Sequence, residues 1–194
     1  GRRLIEQSLV LCADHELNVS AFTVRCVASS GASLYAAVNA GLSALQGWRH
    51  GGIVERVDAL LTASDERGVG PTVRDVMSQG QRLPGFGHVL YPRGDPRATA
   101  LLASLEATLP RRPIVRLARS LLKHAETHLG ERPTLDFALA VIARALDLPA
   151  GSGLTLFALG RTVGWVGHAL EAYERGELIR PRARYTGPAV AQAA

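Results

Sequence analysis

Apolar residues recur at three- and four-residue spacing along most of this chain, whereas alternating Val- and Ile-rich runs bounded by hairpin turns are missing. A repeat near 3.6 residues places such positions on one helix face, so the pattern predicts an all-α fold. The predicted helices cover residues 3–12, 18–29, 33–46, 52–67, 71–79, 95–108, 113–128, 134–147 and 152–174. Start signals sharpen three boundaries. Ser33 precedes Leu34 as an N-cap, Pro71 with Thr72 opens a first turn, and Thr134 is placed to cap the segment from Leu135.

The pattern fails between Gly80 and Gly94, a stretch with four glycines, two prolines and His88. Phe86, Val89, Leu90 and Tyr91 cluster around that histidine, which suits a binding loop better than a solvated linker. An Ala-rich tail after Pro188 carries no helical signal and is expected to be mobile.

With 194 residues, 47% of them apolar, the chain can bury one compact core or two small ones, which excludes disorder and a disulfide-stapled miniprotein. The net charge of +5 favours anionic partners. All but one of the 22 basic residues are arginine, Lys123 being the exception, and they are spread without interleaved aromatics, so no nucleic-acid partner is expected. Cys12 and Cys26 form no CxxC pair and no zinc spacing, and both are expected to be buried, reduced and structural. The most apolar run, Leu154 to Leu170, has Arg161 at its centre, so it reads as a buried helix and not a membrane span. No leader pattern opens the chain, and a cytoplasmic protein is expected.

Three constellations could carry chemistry. Asp14-His15-Glu16, followed by Asn18 and Ser20, forms a dense polar group after Leu9-Val10-Leu11, a run that is more often a helix-capping and surface cluster than a site. His50 lies before the glycine pair Gly51-Gly52, where the backbone can approach a ligand or simply break a helix. Asp136 and Arg161 are isolated charges in apolar helices; they could form a cap and a buried ion pair, or a base and an anion-binding cation.

Taken in order, five segments resemble the citrate synthase family: LVLCADHELNVSAFTVRCVASSGASLYAAVNAGLSAL at 9–45, GWRHGG at 47–52, LPGFGHVLYPRGDPRA at 83–98, PTLDF at 133–137, and LFALGRTVGWVGHALEAY with LIRPRARYTGP near the C-terminus. The resemblance covers nearly the whole chain, which corresponds to roughly the C-terminal half of a family member. It implies a multi-helical fold with residues 1–52 as large-domain helices, 53–150 as mainly small domain, and 151–194 as a return to the large domain.

It also implies a condensation of acetyl-CoA with oxaloacetate. Asp136 would take a proton from the acetyl methyl group, and His50, with Ser20 as candidate partner for its other nitrogen, would hydrogen-bond the thioester oxygen. His88 would polarise the ketone of oxaloacetate. His15, Arg97 and Arg161 would bind the diacid, and Arg180 would reach across from a second subunit of a homodimer. Leu83, Gly85, Phe86, Gly87 and Arg93 would line the CoA site, and neither metal nor resident cofactor is implied. The chain departs from the family pattern at Arg49, at Ile53-Val54 and at Pro92-Arg93. A 2-methylcitrate synthase using propionyl-CoA and a non-catalytic dicarboxylate-binding module are the competing expectations, and the 194-residue piece alone is expected to have little or no activity.

Overall fold

The computed structural model describes residues 1–187, so the expected mobile tail after Pro188 lies outside the described residues. Over that range the chain forms nine α-helices: α1 (Arg2–Cys12), α2 (Val19–Ser29), α3 (Leu34–Leu45), α4 (Ile53–Arg67), α5 (Val69–Ser78), α6 (Pro96–Thr108), α7 (Pro113–Leu129), α8 (Leu135–Ala145) and α9 (Ser152–Arg175). The only strand-like feature among the described residues is a bridge between Phe86 and Pro133.

Local chemistry accounts for the boundaries. Asn18 caps α2 by accepting from the Ser20 and Ala21 amides, and Ser33 caps α3 by accepting from the Ala36 amide. Asp95 caps α6, with Pro96 in the first turn where a missing N–H costs nothing. Gly130, at φ +65°, ends α7 in the left-handed conformation. Two expected starts differ. Thr134 precedes α8 without a side-chain capping bond, and α5 begins at Val69, so Pro71 sits inside its first turn.

Helix α8 is the buried centre, with nine of its eleven residues buried, and it packs against α4, α6, α7 and α9. Such a helix cannot be amphipathic, which is why Asp136 stands out in its sequence. The 24-residue α9 spans about 36 Å at 1.5 Å per residue. Gly153 near its start meets Val54 and Ala140, Gly160 meets Leu9 and Cys12, and Trp165 packs on Gly41. This single helix therefore ties α1–α3 to the group around α8. Cys12 is fully buried, and burial pushes its thiol up to about 12, so it is inert packing; Cys26 is only half-buried, contrary to expectation. Among the described residues no helix is long and apolar enough to cross a membrane.

Candidate active site

One cavity of about 730 Å³ collects most of the residues singled out in the sequence. His15, His50, His88, Arg97, Asp136, Arg161 and the 83–88 loop all line it. They arrive from five separate parts of the chain, and each is placed by a local device.

The loop is drawn to the start of α8 by backbone pairing: the Gly87 amide donates to the Arg132 carbonyl at 2.9 Å, and the Thr134 amide donates to the Gly85 carbonyl at 2.8 Å. Phe86 is buried beneath it, its ring centroid 4.8 Å from that of Phe137. Asp136 lies in the first turn of α8. Its Oδ2 accepts from the Thr134 hydroxyl at 3.2 Å, while its Oδ1 is buried without a partner. Burial raises this carboxyl to about 6, against the opposing Thr134 hydrogen bond and the Arg97 charge.

His50 stands on a tight turn between α3 and α4. Its amide donates to Gly47, and the Gly52 amide donates to Leu45 and Gly47. A Cβ on Gly52 would stand 2.4 Å from the Gln46 carbonyl oxygen, so that glycine serves close backbone passage. Burial, followed by the charges of Arg161 and His15, lowers the imidazole to about 4 and keeps it neutral at physiological pH. Its Nε2 lies 2.8 Å from Ser20 Oγ. That hydroxyl has three partners, since Trp165 Nε1 also donates to it at 3.2 Å and it donates to Asn18 Oδ1 at 2.7 Å. Indole can only donate and Asn18 Oδ1 can only accept, so the Ser20 proton faces Asn18 here and His50 Nε2 donates to Ser20 Oγ; the hydroxyl has to turn toward His50 to hand over that proton. When it goes to His50 Nε2, the imidazole proton is on Nδ1.

His88 has a settled tautomer. The Leu90 amide donates to Nδ1 at 3.1 Å, which leaves the ring proton on Nε2. Its ring centroid lies 5.7 Å from that of His15 and 5.0 Å from that of Tyr91, whose hydroxyl is 2.8 Å from His15 Nε2. Burial lowers both His15 and His88; Arg97, Arg161 and His88 add to the effect at His15, while at His88 Asp95 opposes it. Two neutral imidazoles thus face one another beside two guanidiniums.

Arg97 is held in a bidentate pair, Nε and Nη2 donating to Asp95 at 2.9 and 2.8 Å. Asp95 also accepts from the Leu135 amide at 3.1 Å, joining the starts of α6 and α8. Burial alone would raise this carboxyl, but the Arg97 hydrogen bonds and charge with the Leu135 amide hold it below its usual value. Arg161 is 1% exposed, its Nε donates to the Cys12 carbonyl at 2.7 Å, and its guanidinium lies 5.1 Å over the Phe157 ring. The buried ion pair with Asp136 that the sequence also allowed is not formed; among the described residues no carboxylate lies within ion-pair distance of Arg161. Its charge is left for an anion in the cavity.

Arg93 and Arg180 are exposed and do not line the cavity. Capping of α2 falls to Asn18 and not to the Asp14-Glu16 cluster. Sequence reasoning gave no site role to Asp95 or Trp165, and named Tyr91 only in the cluster around His88; Asp95 carried a local signal, the Asp-Pro of a capped helix start. It also overlooked the cavity mouth, where Trp48, Arg49, Arg56, Gln81 and Arg82 gather. Arg49 stacks over Trp48 at 4.6 Å, and Arg56 donates to Gln81 at 2.8 Å. Among the described residues no group of three or more His, Cys, Asp or Glu is placed to hold a metal ion.

The family model described as citrate synthase, C-terminal domain, matches residues 1–182. The citrate synthase of Haloferax volcanii is 36% identical over 187 residues, covering 94% of this chain and 49% of that protein. A 2-methylcitrate synthase of Corynebacterium glutamicum is 32% identical over 189 residues, covering 95% and 50%. The solved ternary complex of Thermoplasma acidophilum citrate synthase with carboxymethyl coenzyme A and oxaloacetate superposes with a TM-score of 0.84 at 30% identity, covering 98% of this chain and 53% of that one. The chain spans about half the length of the curated relatives it matches.

Proposed function

Because this chain belongs to the citrate synthase family, we propose that the intact protein condenses acetyl-CoA with oxaloacetate to citrate and CoA. The observation that carries the reading is the unpartnered, buried Oδ1 of Asp136 in the same cavity as His50, His88 and the unpaired Arg161. A carboxylate raised to about 6 is a stronger base than an exposed one yet is still ionised at neutral pH.

Asp136 takes a proton from the acetyl methyl group. The developing enolate oxygen is met by His50 Nδ1–H, the tautomer that exists when Ser20 donates to Nε2. The enol carbon attacks the ketone of oxaloacetate, whose oxygen accepts from His88 Nε2–H. Arg161 and the free Nη1 of Arg97 take the carboxylates, with Asp95 fixing the plane of the latter guanidinium. Hydrolysis of citryl-CoA then releases CoA.

The mouth suits the anionic tail of CoA. Arg49 and Arg56 have only neutral partners there, and they supply the cations that Arg93, outside the cavity, does not. The protein acts as a homodimer in this reading, with Arg180 entering the neighbouring site. Leu159, Val163 and Leu170 are exposed along one side of α9, apolar surface of the kind that interfaces cover.

The test is CoA release by the intact protein supplied with oxaloacetate and acetyl-CoA. Asp136→Ala should abolish it, and unchanged release would remove the mechanism. Propionyl-CoA belongs in the same assay, because one methylene shifts binding by only about 1–3 kcal/mol and its relative rate decides between citrate and 2-methylcitrate.

A further inference from the structure

Three successive turns of α9 grip the segment that carries His15. Arg161 Nε donates to the Cys12 carbonyl at 2.7 Å. One turn on, Gly164 passes so close to Ala13 that an added Cβ would stand 2.1 Å from its carbonyl oxygen. A further turn on, His168 Nε2 lies 3.1 Å from Asp14 Oδ1. Positions 161, 164 and 168 share one helix face, so α9 follows the backbone from residue 12 to residue 14. Arg161 serves the cavity directly and Gly164 gives clearance. His168 lies outside the cavity lining, and the mechanism above leaves it without a role.

Its protonation can be counted. Arg25 Nη1 lies 2.8 Å from His168 Nδ1, and a guanidinium only donates, so Nδ1 accepts and the ring proton is on Nε2, facing Asp14. Arg25 is itself buried and fixed by Glu171 at 2.7 Å. The chain Glu171–Arg25–His168–Asp14 thus runs from the α2–α9 contact to the residue before His15. Beyond it, Asn18 Nδ2 donates to the His15 carbonyl at 3.2 Å, and Glu16 sits at φ +53°, a left-handed conformation that a residue with a side chain holds only under constraint.

We propose that His168 is a positioning residue for the diacid pocket: anchored by Arg25, it donates to Asp14 and so fixes where the neighbouring His15 imidazole stands against Tyr91 and His88. The proposal deepens the citrate synthase reading and rests on it for the identity of the ligand. His15 borders the diacid end of the cavity and not the Trp48–Arg56 mouth, so loss of the chain should fall on one substrate alone.

The experiment compares His168→Leu and His168→Gln in the intact protein. Glutamine can accept from Arg25 with its oxygen and donate to Asp14 with its nitrogen; leucine does neither. The leucine variant should raise the KM for oxaloacetate about tenfold and leave that for acetyl-CoA within about twofold, while glutamine should restore the first to within about threefold of the original. The His15 ring resonances should move in the leucine variant and return in the glutamine variant. Asp14→Leu, which leaves α9 and the Arg25–Glu171 pair untouched, should reproduce the oxaloacetate effect if His168→Leu does not fold. Unchanged KM values with unmoved His15 resonances, an equal rise in both KM values, or glutamine behaving like leucine would each overturn the proposal. A wild-type protein without turnover would defeat the catalytic reading only, because the His15 resonances still decide the positioning role.

Discussion

As the proposed base, Asp136 combines two demands that conflict, since a base must be ionised and a buried carboxyl resists ionisation. With its carboxyl raised to about 6, kcat/KM should fall tenfold per pH unit below about pH 6, a limb that His50, lowered to about 4, does not supply. The same shift has a consequence for stability. A folded-state value above the usual 3.8 means the group stabilises the fold most below that pH, and its contribution declines as pH rises to about 6 and stays low beyond. Asp136→Asn never ionises, so it should be more stable than the original by about 1–3 kcal/mol at pH 8, with the difference shrinking toward pH 4 in urea titrations. Greater stability without turnover is the expected signature of a residue kept for chemistry. Ser20→Ala should lower kcat about 10- to 100-fold with the fold retained, by removing the donor to His50 Nε2. Asp136 was legible in the sequence as a lone charge in an apolar helix. The three-way bonding of the Ser20 hydroxyl was not, because Asn18, His50 and Trp165 meet only after four helices have packed.

The helices themselves were written locally. Three- and four-residue spacing, sharpened by the Ser33 cap, placed all nine predicted elements within about two residues of their observed ends, because capping and amphipathic burial are short-range causes. What escaped was coupling between elements, and Asp95 is the sharpest case. Its side chain is fully buried, and one carboxylate caps α6, fixes Arg97 and receives the first amide of α8. Sequence distance hides that third task, since Leu135 is 40 residues away. Asp95→Ala should therefore cost about 3–5 kcal/mol of stability, well beyond an ordinary cap, because it strands the Arg97 charge as well. Asp95 is held below its usual value, so its contribution is present above about pH 4 and is lost as pH falls through the lowered folded value. Urea denaturation of the wild type at pH 7 and pH 3, beside the variant, reads both effects; equal sensitivity to acid in the two proteins would contradict the assignment.

At the scale of the whole molecule, Arg180 is the proposed ligand that stands apart from the others. It is exposed and absent from its own chain's cavity, and the segment before it is pinned to α2 by the Ile179 amide donating to Ser29 Oγ at 3.1 Å. A guanidinium so placed serves the diacid only if a second protomer brings its pocket to it. The proposal can be decided by mixing two inactive proteins. Arg180→Leu destroys the cation given to the neighbour, and Asp136→Asn destroys the base kept at home. In a symmetric dimer each site then draws Asp136 from one protomer and Arg180 from the other. A mixed dimer holds one site with both residues intact and one with neither, so random exchange should restore about a quarter of the original turnover. If Arg180 acted within its own chain, each protomer of the mixed dimer would still carry one defect and no activity would return. Recovery after exchange, set against the silence of each variant alone, tells shared sites from self-contained ones.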